Sequence, residues 1–265
     1  MSFTLFKITL KKNWTLLLIF FGVLTMYMSI MASMYDPKQM DALMSMFKLL
    51  PPDLMNALGF SSLATDLTAY LASWLYGLLM IAFPMIYSII LGNKLVAKMV
   101  DNGSFAYLLS TPNSRVKIIV TQGVYALGSM VVLFSALFSL GVVLCNVMFP
   151  GALDIPGFFR LNLTTMLVNM VVMMISFFFS CVFNDTKMSL GFGAGIPITF
   201  LLLNMLGGAS SNLEILKKVS IYGFYDPIKL IHGSDVLGVN LIYTGLIVVL
   251  FTASVLIFKK KRLPL

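Results

Sequence analysis

The sequence predicts an all-α integral membrane protein: six transmembrane helices, with the N and C termini both cytoplasmic. Three observations lead there. The 265-residue chain is 59% hydrophobic and only 11% charged, whereas soluble domains carry about 25% charged residues. Its apolar residues gather into six runs, each on the order of 20 residues, which is the length that crosses a bilayer. Its charges alternate between the two sides those runs define. With the N-terminus inside, Lys7, Lys11, Lys12, Lys94, Lys98, Arg115, Lys117, Lys187, Lys259, Lys260, Lys261 and Arg262 are cytoplasmic, twelve of the 18 basic residues. Lys38, Lys48, Arg160, Lys217, Lys218 and Lys229 fall outside, as do all acidic residues but Asp101 and Asp185. This is the positive-inside pattern, and an error of one span would scramble it.

The spans are expected near residues 14–33, 69–92, 118–149, 163–183, 189–206 and 241–258. Before the first, Phe3, Phe6, Leu10 and Trp14 recur at i, i+3, i+7 and i+11, an apolar face beside Lys7, Lys11 and Lys12. That spacing suits a helix lying in the inner interface, or equally a charged flank of the span. Ile30-Met-Ala-Ser33 is a poor cleavage site, so the first run is expected to stay as a span. An outer loop at residues 34–68 carries Met40, Leu43, Met44, Phe47 and Leu50, then Pro51-Pro52, then Leu54, Met55 and Leu58. Two short amphipathic helices on the outer leaflet are expected there. The third run is overlong and should tilt or protrude. The fifth begins with Gly191, Gly193, Gly195 and Pro197. A second outer loop, 207–240, holds Leu213 to Val219 and the cluster Tyr222-Gly-Phe-Tyr-Asp-Pro227, whose aromatics are expected at the interface. Neither a repeat nor a soluble domain is expected, and Cys145 and Cys181 read as small core residues rather than a disulfide or metal pair.

Several function classes lack their chemistry. The expected span interiors contain no Asp, Glu, Lys, Arg or His, which argues against proton-coupled transport. Sodium sites made of carbonyls and hydroxyls stay open. No nucleophile–base pair, paired aspartate or HExxH helix suggests a protease, and His232 reads as a loop residue. No GxxxxGK[ST] loop is present, so energy for any work would come from another chain. The basic residues form no stripe interleaved with aromatics, so nucleic acid is not an expected partner.

Between the second and third spans, residues 94–117 form a polar island longer than a turn requires. Asp101-Asn-Gly103 reads as a stop and Ser104 as a cap. Phe105, Leu108 and Leu109 then share one helical face, with Tyr107 at its edge, and Thr111-Pro112 ends the helix. A helix of two turns is not stable alone in water. Its apolar face must lie on lipid or enter a partner's groove.

These residues resemble the permease subunits of type-2 ATP-binding-cassette exporters, including bacterial peptide and drug exporters. The resemblance rests on Gly103-Ser104, Leu108-Leu109-Ser110-Thr111-Pro112 and Arg115, on the tail Phe258-Lys-Lys-Lys-Arg-Leu-Pro-Leu265, and on Phe224-Tyr-Asp-Pro227 followed by Gly233. Asp101 and Lys98 stand where the family is more acidic. The resemblance implies one transmembrane domain over 1–265 in the bacterial cytoplasmic membrane, working as a homodimer or with a close homologue. It implies two copies of a separate cytoplasmic ATPase, which would carry the ATP and Mg; this chain would carry no cofactor, metal or catalytic residue. The 104–111 helix would be the coupling helix. Phe105, Leu108 and Leu109 would be its anchor, Ser104 and Tyr107 its edges, and Arg115 and Lys117 its flanks.

The same resemblance implies that the second and fifth spans line a dimer seam. Pathway candidates are then Tyr76, Pro84 and Tyr87 on the second span, and Phe192, Gly195, Pro197, Phe200, Asn204 and Met205 on the fifth. Gly191 and Gly195 form a small-xxx-small pair. Twenty methionines suit an adaptable apolar surface, and with it a membrane-active or antimicrobial peptide, a lipid-like molecule or a drug as cargo, in the manner of a resistance exporter. They equally suit ordinary span packing. An ATP-independent channel or carrier, and an immunity-type scaffold that sequesters a peptide, remain alternatives on sequence alone.

Overall fold

The computed structural model describes residues 1–36, 51, 54, 66–209 and 213–261. The outer-loop helices expected within 34–68 fall almost wholly outside the described residues, as do residues 262–265 of the tail. The described residues contain six helices long and apolar enough to cross a membrane. They are α1 (Phe3–Met34); α2 (Leu67–Trp74), continuing through a π-helical turn (Leu75–Leu79) into α3 (Met80–Leu95); α6 (Arg115–Met148); α7 (Ile155–Val182); α8 (Thr186–Ala209); and α11 (Val236–Lys260). Short helices α4 (Ala97–Asp101) and α5 (Phe105–Leu109) fill the polar island. Further along, α9 (Glu214–Val219), a 3₁₀ turn (Ile221–Phe224) and α10 (Pro227–Ile231) lead into α11.

The two chain ends lie together. The Ser2 amide donates to Thr121 Oγ1 near the start of α6, and Arg115 Nη1 donates to the Lys261 carbonyl just past α11. We call this the basic end of the bundle. α7 is the central helix: 72% of its most apolar 18-residue window is buried, against 17% for α1 and α8 and 22% for α11. The outer helices leave most of their apolar surface exposed, as suits faces turned to lipid, where burial would gain little. Cys145 and Cys181 are buried free thiols in the core.

Close packing on α7 depends on glycine. A Cβ on Gly92 of α3 would stand 2.7 Å from Ser176 Cβ and 3.0 Å from the Phe177 amide nitrogen. Gly193 of α8 approaches the backbone of the same Ser176, its Cβ position 3.2 Å from Ser176 Cα. Gly191 and Gly195, the pair picked out for helix contact, instead have open space where a Cβ would sit. The glycine between them makes the contact within the protomer.

Two further expectations give way. α1 runs unbroken over 32 residues, so residues 3–14 belong to the helix of the first span, as in the charged-flank reading, and do not form a separate interfacial helix. Phe3, Leu10 and Trp14 are exposed on its outer face. Phe6 is half-buried and meets Tyr125 edge-on at 5.8 Å between centroids. The inward face belongs to Leu5, Thr9 and Asn13. The aromatics of 222–225 do not all rest at an interface either: Tyr222 and Tyr225 are buried. The Tyr225 hydroxyl donates to the Tyr76 carbonyl at 3.1 Å and also pairs with Thr165 Oγ1 at 2.8 Å. A phenol at that depth finds backbone partners in the bundle that lipid cannot supply.

Candidate functional site

Small polar side chains along α7 repair three of the four irregularities in its neighbours. Pro84 lies inside α3 and has no N–H, which leaves the Met80 carbonyl without its helical donor. Asn169 Nδ2 donates to that carbonyl at 3.1 Å. Pro197 lies inside α8 and releases the Gly193 carbonyl in the same way. Ser176 Oγ donates to it at 2.8 Å. Asn169 and Ser176 are seven residues apart, two turns of one face. A third irregularity is the π-helical turn. There the Met80 amide reaches back to the Leu75 carbonyl, and the Tyr76 carbonyl accepts from Tyr225. The Tyr76 hydroxyl donates to Asn162 Oδ1 at 3.0 Å, and Asn162 Nδ2 donates to the Phe134 carbonyl.

The fourth irregularity separates α3 from α4. Val96 leaves helical geometry at φ −133° and ψ −67°. An α-helix would join the Ala97 amide to the Asn93 carbonyl directly. Here Ser180 Oγ stands between them, accepting from Ala97 at 2.7 Å and donating to Asn93 at 3.3 Å. A side chain inserted into the ladder is a recognised cause of a kink. Asn162, Thr165, Asn169, Ser176 and Ser180 therefore carry the polar work of the bundle. Their regular spacing in the sequence is the signal that marks them, and sequence reasoning passed over it for lack of charge.

Beyond this joint, Gly103 adopts φ +72°, the turn that Asp-Asn-Gly announces. Ser104 does not cap α5; its hydroxyl lies 2.6 Å from Asn102 Oδ1 and 3.3 Å from the Met99 carbonyl. α5 spans Phe105–Leu109, shorter than the expected 104–111. Ser110 and Thr111 close it by donating to the Tyr107 and Leu108 carbonyls. The expected anchor face is turned toward the bundle. Phe105 is 0% exposed and packs on Phe258 of α11 at 5.2 Å. Leu108 and Leu109 are half-buried against the core. Tyr107 is 78% exposed. In an amphipathic turn beside a greasy bundle, intramolecular burial of Phe and Leu wins over display.

The flanks are tied as well. Arg115 is half-buried on the Lys261 carbonyl, while Lys117 is exposed. Lys261 Nζ donates to the Phe183 carbonyl at 2.7 Å and lies 5.5 Å from the Phe258 ring centre. Burial pushes its ammonium down to about 8, against the opposing pull of Cys181 and Asp185. Asp101 Oδ2 accepts from the Thr186 amide, which joins α4 to the start of α8.

Of the pathway candidates, Tyr76, Pro84 and Tyr87 are buried inside the protomer and cannot line an outer seam; Ile86 and Ile90 are the exposed residues of α3. On α8, Phe192 is exposed and stacks on Phe179 and Phe183. Gly195 is half-exposed with open space beside it, whereas Pro197 is buried. Phe200 is half-buried and accepts from Ser220 Oγ through its carbonyl. Met205 is half-buried, as is Asn204, whose Oδ1 has no hydrogen-bond partner.

A family model described as ABC-2 family transporter protein matches residues 6–263. No curated protein matches the chain, and no solved structure does.

Proposed function

Because the chain belongs to the ABC-2 family of transporter proteins, we propose that it is the membrane half of an ATP-driven exporter, working as a dimer over two copies of a separate cytoplasmic ATPase. It is a permease subunit of an ABC transporter and a multi-pass protein of the cell membrane. ATP and Mg belong to the partner in this reading. The basic end faces the cytoplasm, as its Lys and Arg excess favours.

The observation that carries the coupling role is the exposed turn around Tyr107, rooted inward by Phe105 on Phe258. Closure of the ATPase pair pushes on Tyr107. The Phe105–Phe258 contact passes the displacement to α11, and α4 passes it to α3 across the Ser180 joint. A joint held through one hydroxyl bends at less cost than a continuous helix. Pro84 and Pro197 each omit one ladder bond and give α3 and α8 further points of flexure. The outward face of α8, with Phe192, Gly195, Ile198, Leu202 and Leu206, is uncharged and, apart from Thr199, apolar. It suits hydrophobic or amphipathic cargo such as a membrane-active peptide.

The test is co-purification with the partner ATPase. Tyr107→Ala should leave thermal stability unchanged and weaken ATPase retention by roughly 30-fold, the scale of an interface hot spot. Phe105→Ala should lower stability as well, since it empties a buried site. Full ATPase retention by Tyr107→Ala, with hydrolysis unresponsive to hydrophobic peptides, would sink the proposal.

A further inference from the structure

A cavity of about 200 Å³ opens at the basic end among α1, α3, α4, α5 and α6. Its polar lining is Thr9, Lys12, Asn13, Lys94, Ser104 and Gln122. Drug-sized ligands occupy about 300–1,000 Å³, so this space suits a headgroup rather than the cargo of a transporter.

Its electrostatics call for an anion. Lys94 is half-buried and repelled by Lys12 and Lys98. Among the described residues, the ion pairs are Lys218–Glu214 and Lys229–Asp226, in the segment that joins α8 to α11. Among the described residues, no carboxylate lines this cavity. Lys12 is exposed and Lys94 half-buried; two ammonium groups beside one small space repel each other, and a negative group between them relieves that repulsion.

Its neutral lining calls for a donor as well. Asn13 is 3% exposed, and its Oδ1 has no hydrogen-bond partner. Its orientation is settled by Nδ2, which donates to the Thr9 carbonyl at 2.9 Å. The orphan is thus an acceptor with no surface open to the cavity as it stands; a hydroxyl reaches it after a small shift of the Asn13 side chain, and phosphate oxygens cannot satisfy it. Thr9 Oγ1 already donates to Gln122 Oε1. Ile8 at the rim is exposed along the outer face of α1, giving an acyl chain a way back into the bilayer.

We propose that this cavity binds the headgroup of an anionic, hydroxyl-bearing phospholipid, with phosphatidylglycerol as the fitting class. The phosphate sits between Lys12 and Lys94, and a glycerol hydroxyl donates to Asn13 Oδ1. Ser104 and Leu108 also line the cavity, so the bound lipid rests against α5. This site is independent of the exporter reading; it needs neither cargo nor ATPase.

The experiment is native mass spectrometry of the full chain in mild detergent, with phosphatidylglycerol, phosphatidylcholine, phosphatidic acid and inorganic phosphate as probes. The protein should retain phosphatidylglycerol over phosphatidylcholine. Lys12→Gln with Lys94→Gln should weaken that retention by roughly 25-fold. Lys7→Gln with Lys259→Gln removes the same charge from positions that do not line the cavity and should leave retention unchanged. Asn13→Ala should narrow the preference for phosphatidylglycerol over phosphatidic acid. Equal retention of phosphatidylglycerol and phosphatidylcholine by the unmodified protein overturns the proposal, whatever the variants do. So does undiminished binding by the Lys12/Lys94 variant. Displacement of the lipid by equimolar inorganic phosphate would assign the site to a soluble anion and overturn the lipid source.

Discussion

Replacing Ser176 by Ala removes one hydroxyl and keeps the Cβ that Gly92 and Gly193 accommodate. The Gly193 carbonyl then loses the donor at 2.8 Å that stands in for the missing proline N–H. Leaving a buried acceptor unpaired costs about 1–3 kcal/mol in soluble proteins. In membranes the measured couplings are smaller, averaging about 0.6 kcal/mol and reaching about 1.7. The carbonyl here belongs to a glycine packed directly on the central helix, so about 1 kcal/mol is expected for Ser176→Ala. Pro197→Ala restores the amide that bonds this carbonyl within α8, and Ser176→Ala should then cost nearly nothing. The double-mutant cycle should therefore return a coupling of about 1 kcal/mol, read from unfolding free energies in detergent–denaturant titrations. Pairing Pro84→Ala with Asn169→Ala should return a similar coupling through the Met80 carbonyl, and pairing Pro84→Ala with Ser176→Ala should be additive. Additivity at both matched pairs, within about 0.3 kcal/mol, would refute the claim that α7 substitutes for the missing proline bonds.

Gly92→Ala forces a Cβ to within 2.7 Å of Ser176 Cβ and should cost about 1–3 kcal/mol as overpacking; Gly195→Ala meets open space and should leave the isolated protomer as stable or more so. Thermal melts of the two variants decide this, and equal losses would contradict the packing described. Lys261 has its folded value lowered to about 8 by burial, so the unfolded chain holds more protons between that value and the ordinary lysine value. Stability should rise with pH through that window and be flat below it as far as this group is concerned. Melting temperature against pH, taken as the difference from Lys261→Gln, checks the sign.

The fold was legible wherever hydrophobic length and charge speak for themselves. Each of the six expected spans falls on a long helix, and the overlong third run became α6 at 34 residues. The stop at Asp101-Asn-Gly103 was legible from turn chemistry alone. What misled was direction. Phe105, Leu108 and Leu109 share a face, as their spacing requires, yet periodicity does not say whether that face looks toward a partner or toward Phe258. The same gap explains Tyr76 and Tyr87, buried within the bundle rather than on its surface, and Gly191 and Gly195, displaced as packing residues by Gly193.

The sequence by itself determined the class, the number of spans and the end at which its cations gather. Those depend on local composition, which the bilayer reads one segment at a time. Only the tertiary structure decided that α7 is the axis on which the other helices depend. In a membrane, a carbonyl released by proline or a broken turn must find a donor on another helix. Asn169, Ser176 and Ser180 acquire that role from where Pro84, Pro197 and Val96 come to lie beside them. That adjacency is a property of packing, which no span carries within its own residues.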